Sequence, residues 1–262
     1  MSYERLIRQA DYTPFEGWDF GGFRGRFVEA QPSWEFSKLL RTHMQRSSSM
    51  LDLGTGGGEF LSSLAPLPAE TVATEAYAPN IPIARRRLAP LGVRVFDTTE
   101  SGDDPLPFAD GTFDLVISRH ESYAPSEVRR ILDSGGTFVT QQVGGRDLEE
   151  LNHALGGPPH TDRLWNLAAA TEELERAGFE VLDGREELLP GTFYDIGAVV
   201  LYLRIIFWQI LGFDLASYDT ALRALHAIME SGTPLKVNAH RFLISPHRAQ
   251  GSGMGGSLQE EG

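Results

Sequence analysis

The chain reads as an α/β protein built on a doubly wound, mostly parallel sheet, and three observations carry that reading. Met50, Leu51 and Leu53 make a short apolar strand that runs into Gly54, Gly56, Gly57 and Gly58 and then into a helix beginning Glu59-Phe60-Leu61. Further short strands recur at Thr71–Thr74, Val93–Phe96 and Phe113–Ser118, with a helix running to Leu88 in between, the alternation expected of a parallel sheet. The chain has 262 residues, 41% of them hydrophobic and 23% charged, enough for one well-buried domain with embellishments rather than two separate cores.

The elements follow in order. Residues 1–37 form an arm rich in aromatics, among them Tyr3, Trp18, Phe27 and Trp34; Pro14, Pro32 and Gly21-Gly22 interrupt helical periodicity, so loops and short helices are expected there as a cap. Residues 38–248 carry the main domain, opening with a helix at 38–46. Thr171–Ala177 is helical and stops at Gly178, a C-cap signal, before a strand at Phe179–Leu182. A helical insertion is expected at about 192–231, with Leu222, Leu225, Ile228 and Met229 at helical spacing. The last strand is Val237–Ile244, and residues 249–262 have the composition of a flexible tail. Within the insertion, residues 196–213 are strongly apolar. Arg204 falls near the centre and Gln209 follows, so a buried helix is expected rather than a membrane span, which wants about twenty uncharged residues. A local surface that touches lipid or an apolar substrate is the other reading of this segment.

The glycine turn is the most informative feature. Glycine lacks a Cβ, so the backbone there can take positive φ and a ligand can lie against the peptide groups. Strand, turn and helix N-terminus together build the crevice at the carboxyl end of a parallel sheet where nucleotide-like cofactors bind. The dinucleotide fingerprint needs a glycine at the sixth position of the turn, where this chain has Glu59, and a carboxylate there would face the pyrophosphate. No Gly-Lys-Ser/Thr follows, which excludes the P-loop.

What remains, Asp52-Leu53-Gly54-Thr55-Gly56-Gly57-Gly58, resembles the first motif of the class I S-adenosylmethionine-dependent methyltransferase superfamily. Four further segments resemble the same superfamily in the right order over residues 50–143: the acidic tip at Glu75, the strand closed by Asp97, Leu106-Pro107-Phe108 with Phe113–Ser118, and Ile131–Thr140. In the last of these Ser134 stands where the family usually has proline. The resemblance implies a Rossmann-like methyltransferase fold of seven strands with the last antiparallel, and S-adenosyl-L-methionine as cofactor. It implies cofactor contacts by Asp52, Gly54, Thr55, Gly56, Gly58, Glu75, Ala76, Asp97, Ser118 and Arg119. Glu75, 23 residues after Asp52, can accept from both ribose hydroxyls. Asp97 is the favoured partner of the adenine amino group, with Asp103 and Asp104 as competitors.

Acceptor chemistry is expected from Ser118-Arg119-His120-Glu121-Ser122, immediately after the fourth strand. His120 is a candidate general base with Glu121 orienting it, because imidazole titrates in the useful range. The competing reading is a salt-bridged lid. Trp18, Arg26 and Trp34 precede the first motif, and Gln141 ends the fifth strand with Gln142 beside it; Trp18, Arg26, Trp34 and Gln141 are candidate substrate contacts, with Tyr194, Asp195 and His240 near the other wall. The histidines show no metal-ligand spacing and no metal is expected.

The net charge is −13, which argues against a broad phosphate-binding surface. The Asn-Pro-Pro-Tyr motif of nucleic-acid amino-methylating relatives is also missing. The one basic run, Arg85–Arg87, reads as a solvated helix face. A small-molecule acceptor methylated on oxygen or nitrogen is therefore expected, ahead of an RNA methyltransferase or a noncatalytic cofactor-binding protein. With no cysteine and no signal-peptide pattern, the expected location is cytoplasmic.

Overall fold

A computed structural model describes residues 1–15, 21–99 and 105–248. Trp18, Asp103, Asp104 and the 249–262 tail lie outside the described residues. Strand β1 is Phe27–Glu29, β2 Ser49–Leu53, β3 Glu70–Glu75, β4 Arg94–Asp97, β5 Phe113–Arg119, β6 Leu132–Val143, β7 Phe179–Phe193 and β8 Leu235–Arg248. They form one sheet in the order β1-β7-β8-β6-β5-β2-β3-β4. The pairs β4–β3, β3–β2, β2–β5 and β5–β6 are parallel, and β8 runs antiparallel to both β6 and β7. Strand order reverses where β2 meets β5, so the crevice beyond their carboxyl ends is the switch point at which such sheets bind ligands.

The two sheet faces follow from the period-two alternation of strands. Met50, Leu115, Ile117 and Val139 face one way, onto α2 (Phe36–Met44), α3 (Glu59–Ser63) and α4 (Ile81–Leu88). Leu51, Leu53, Val116 and Phe138 face the other way, onto α5 (Pro125–Ile131) and α7 (Leu167–Arg176). A third cluster forms a cap from α1 (Tyr3–Tyr12), α6 (Glu149–Leu155), α8 (Ile196–Ile205) and α9 (Leu215–Glu230) with the far ends of β7 and β8.

Three expectations change. The sheet has eight strands rather than seven, because the arm contributes β1, whose Phe27 pairs with Phe193 and stacks on it at 4.1 Å. Strand β7 runs eleven residues past the expected end at Leu182, since Pro190 and Gly191 read as breakers yet sit inside the paired β7–β8 ladder. That ladder continues past Val143, the last residue of β6, and carries the cap beyond the carboxyl end of the sheet. Finally, Asp133–Gly136 is not a turn before the strand but an out-of-register excursion within β6.

Helix α8 is apolar on all sides because α1, α9 and β7 cover it. Arg204 is accommodated by donating to the carbonyls of Ala10 and Thr13 at the end of α1. Among the described residues no helix is long and apolar enough to cross a membrane.

Candidate functional site

The glycine turn is left-handed at Gly54, Gly56 and Gly58, with φ of 66°, 62° and 81°. Its backbone is tied to β3: the Thr55 N–H donates to the Thr74 carbonyl at 2.9 Å and the Gly54 N–H to Thr74 Oγ1 at 3.3 Å. Glu75, buried at the tip of β3, accepts the Gly56 N–H at 2.6 Å and the Tyr77 N–H at 2.7 Å. Burial nevertheless raises its pKa, and the nearby Glu121 carboxylate adds to the effect. On the other side Arg87 donates to the Gly57 carbonyl and the Glu59 carboxylate. The Arg85–Arg87 run is thus more than a solvated face, because its last member clamps the turn. A Cβ on Gly58 would lie 2.9 Å from Leu88 Cγ, so the absence of a side chain there lets α4 close against the turn.

Asp52 lies beneath this turn with 2% of its surface exposed. Burial pushes its pKa up to about 7; the Glu75 carboxylate pushes the same way, and Arg119 and the Thr55 hydroxyl oppose. Thr55 Oγ1 is buried and makes no hydrogen bond of good geometry among the described residues. At Gly54 a Cβ would come within 2.3 Å of Glu121 Cγ, so the glycine cradles the Glu121 side chain, which fills the space a Cβ would take. A left-handed glycine turn, a buried hydroxyl without a well-formed hydrogen bond and three neighbouring carboxylates suit a ligand that carries polar groups and positive charge.

The wall opposite is the loop after β5. Ser118 turns inward and donates to the Glu121 carbonyl at 3.0 Å, and Gln142 Nε2 donates to the same carbonyl at 2.9 Å. The Ser118 hydroxyl thus donates within the fold and shapes the loop. Arg119 lies over the Phe60 ring at 4.5 Å, and burial lowers its pKa, with Arg241 contributing. His120 takes a left-handed φ of 65°, a conformation that costs a non-glycine residue about 1–2 kcal/mol. Its N–H donates to the Gln141 carbonyl at 2.8 Å. The ring Nε2 stands 3.0 Å from Gln141 Nε2, and the Trp34 indole N–H donates to Gln141 Oε1 at 2.8 Å.

Glu121 does not orient His120, contrary to expectation; its carboxylate meets Ser122 and the Gly54 cradle, because the left-handed turn at His120 sends the two side chains apart. His120 is exposed, but the protein packed about it lowers its pKa well below the ordinary value, and Arg241 and Arg119 push the same way.

Of the remaining candidates, Ala76 follows Glu75, and Asp97 is level with Glu75 in the β3–β4 register. Asp97 is exposed, and hydrogen bonds from Thr99 lower its pKa. Trp34 and Gln141 come together with His120. Arg26 does not: its guanidinium holds Asp195, the N-cap of α8, at 2.7 and 2.5 Å, so it is consumed within the cap. His240 pairs with Glu186 at 2.9 Å in a depression of about 280 Å³ that shares no lining residue with the glycine turn. Among the described residues no cluster of three acidic or histidine side chains is placed to hold a metal.

Sequence reasoning missed Arg241. On β8 it reaches Glu29 of β1 at 3.2 Å to both oxygens and also binds Asp147, with Tyr202 beside them. Its partners lie 212 and 94 residues away, and the only local signal was a charge inside an alternating apolar strand.

Residues 51–140 match the family model described as Methyltransferase domain. This match spans the glycine turn, Glu75, Asp97 and the 118–121 loop just described. Over those residues the chain carries a methyltransferase domain. The chain is 25% identical over 177 residues to the ubiquinone biosynthesis O-methyltransferase of Ruegeria sp. (strain TM1040), covering 60% of this chain and 70% of that protein. Its fold is shared with YcgJ of Bacillus subtilis, with a TM-score of 0.57, 20% identity and coverage of 82% and 99% of the two chains. It is shared too with a SAM-dependent methyltransferase of Aquifex aeolicus, with a TM-score of 0.50, 14% identity and coverage of 95% and 100%. The domain matched over residues 51–140 is that of an enzyme, a methyltransferase.

Proposed function

We propose that this methyltransferase transfers the methyl group to an oxygen or nitrogen of a small-molecule acceptor held between the 118–121 loop and the cap. The observation that carries the reading is the left-handed glycine turn, where Gly54 cradles Glu121 between the acidic crevice and the wall bearing His120, Gln141 and Trp34. When bound, the cofactor supplies a methyl carbon already activated by a sulfonium. The protein's own work is then to hold an acceptor in line with that carbon and to exclude water.

Each group has a distinct part. Gly54, Thr55, Gly56 and Gly58 give the backbone surface, with the Thr55 hydroxyl beside Asp52. Glu75 accepts from the ribose hydroxyls, exchanging its bonds to the turn for bonds to ligand. Asp97, level with it on β4, faces the adenine end, and Ala76 lines the gap between them. Asp52 and Glu121 place negative charge near the cationic end, and Arg119 over Phe60 closes that side. The cap explains the need for a large insertion: helices α8 and α9, joined to α1, roof the carboxyl end of the sheet.

A net charge of −13 supports a small acceptor over a nucleic acid, as does the name of the Ruegeria relative, a biosynthetic O-methyltransferase. The test has two stages. Calorimetry should show binding of S-adenosylmethionine and weaker or no binding of NAD. Incubation with methyl-labelled cofactor and a size-fractionated cell extract should then label a product of low molecular mass. Label appearing only in RNA or protein would refute the acceptor class.

A further inference from the structure

The contacts of His120 decide its protonation. An indole N–H can only donate, so the Gln141 atom 2.8 Å from Trp34 Nε1 is the amide oxygen. The Gln141 NH2 group is then the one 3.0 Å from His120 Nε2, and it too can only donate. His120 Nε2 must therefore present a lone pair. Both Trp34 and Gln141 are buried, at 6% exposure each, so water does not compete for these bonds. The ring proton is left on Nδ1, which has no hydrogen-bond partner among the described residues, in a residue that is itself exposed.

We propose that Trp34 and Gln141 hold His120 as the neutral Nδ1–H tautomer, so that the imidazole meets the acceptor as a hydrogen-bond donor, and that the site thereby selects an oxyanion as the reacting atom, a carboxylate or an ionised phenol or enol. This rests on the reading that the acceptor lies against the 118–121 loop. A base would need a ring lone pair facing the acceptor, and the one lone pair of this tautomer is already taken by Gln141. An oxyanion can accept the Nδ1–H bond with one lone pair and attack with another, whereas a neutral amine has a single lone pair and cannot do both. Transfer to an oxyanion forms the new oxygen–carbon bond from an oxygen pair while the carbon–sulfur bond breaks onto sulfur, and no proton changes hands.

The charges about the ring agree. Arg119 and Glu121 flank it on its own loop, and Arg241 faces it from β8, paired with Glu29 on β1 and with Asp147. The two guanidiniums oppose an imidazolium, and packing against the ring does so as well. Trp34 and Gln141 act through His120 and are positioning residues. His120 is the group that touches the acceptor.

Long-range ¹H–¹⁵N correlation on the full chain labelled in histidine tests this directly, with the His120 signals identified by their loss in His120→Gln. The expected spectrum shows an Nδ1–H tautomer that stays neutral to well below the ordinary histidine midpoint. An Nε2–H tautomer, or a midpoint near the ordinary value of about 6.5, overturns the proposal. Gln141→Glu should reverse the lock, because its carboxylate accepts an Nε2–H. The His120 midpoint should rise by more than about one pH unit, and methyl transfer should fall off as pH rises through that midpoint, where the neutral ring keeps its proton on Nε2 and turns a lone pair toward the acceptor. Should that variant not fold, Gln141→Leu should release a mixture of tautomers, and an unchanged single tautomer overturns the relay.

The labelled product separates the acceptor sources. Release of labelled methanol under mild alkali identifies a carboxylate, a stable product that has lost one negative charge identifies a phenol or enol, and an N-methyl product overturns the oxyanion assignment. Absence of any product with the expected tautomer in place would count against the transfer reading and not against the relay.

Discussion

Replacing Arg241 by methionine tests how the acceptor wall is held. The guanidinium is 12% exposed and bridges Glu29 on β1 and Asp147 in the loop after β6, while its Nη1 also donates to the His240 carbonyl at 3.1 Å. Methionine keeps the volume and removes the charge, leaving two carboxylates, 24% and 8% exposed, without their shared cation. Removing one partner of a buried ion pair costs about 3–5 kcal/mol, and because Glu29 retains some water the lower end applies. For a chain of this size about 3 kcal/mol lowers Tm by roughly 6–12 °C.

The loss should depend on pH. Burial already raises the pKa of Glu29, Arg241 opposes this, and Asp147 adds to it. Without Arg241 the pKa rises further. A carboxyl whose folded pKa exceeds its unfolded value contributes stability that is present at low pH and lost as pH rises through the folded pKa. The deficit of the variant should therefore be largest near pH 8 and shrink toward pH 5. The double variant Glu29→Gln with Arg241→Met should recover part of it at neutral pH. Denaturant unfolding at several pH values measures all three quantities. A single variant within about 1 kcal/mol of the wild type, or a deficit that grows on acidification, would refute the reasoning.

Three further outcomes concern the crevice. Glu75→Gln should weaken S-adenosylmethionine binding by about 1.5–3 kcal/mol in calorimetry, the usual scale for hydrogen bonds to a charged group, and unchanged affinity would remove Glu75 from the ribose. Cofactor affinity of the wild type should rise between pH 6 and 8 as Asp52, with a pKa of about 7, becomes charged beneath a cationic ligand. The raised folded pKa means that the free protein should lose stability over the same window, and Asp52→Asn should flatten both trends. Gly54→Ala should destabilise the fold by about 1–2 kcal/mol through its left-handed φ and weaken cofactor binding because its Cβ displaces the Glu121 side chain from the turn; thermal unfolding with and without cofactor separates the two effects.

How much of this was legible depended on sequence distance. The glycine turn, Glu75 and the order of the parallel strands are local patterns, because a strand, a turn and the next helix are consecutive and each residue's neighbours are close in the chain. The length of β7 was not legible, since Pro190 and Gly191 mark breaks in an isolated strand and lose that meaning when thirteen residues of β8 pair alongside. The strand β1 was hidden for a related reason: three residues have no periodicity to read, and their place is set by Phe27 on Phe193, 166 positions later. Charged groups were the least legible. Arg26 and Ser118 were assigned to ligand and Glu121 to His120 by position, yet the first two bond to partners within the fold and the third turns away from His120.

The same comparison explains where the acceptor chemistry resides. His120 and Glu121 are adjacent in sequence, which invites reading them as a base and its carboxylate, but successive side chains at a left-handed turn diverge. The residue that meets the imidazole is Gln141, level with Arg119 in the β5–β6 register and therefore beside the loop rather than in it. Parallel pairing of β5 with β6 thus chooses an amide over a carboxylate as the partner of His120. An amide whose oxygen is already engaged by Trp34 can only donate, so this register and a single indole N–H turn a residue that reads as a base into one that offers a proton without giving it up.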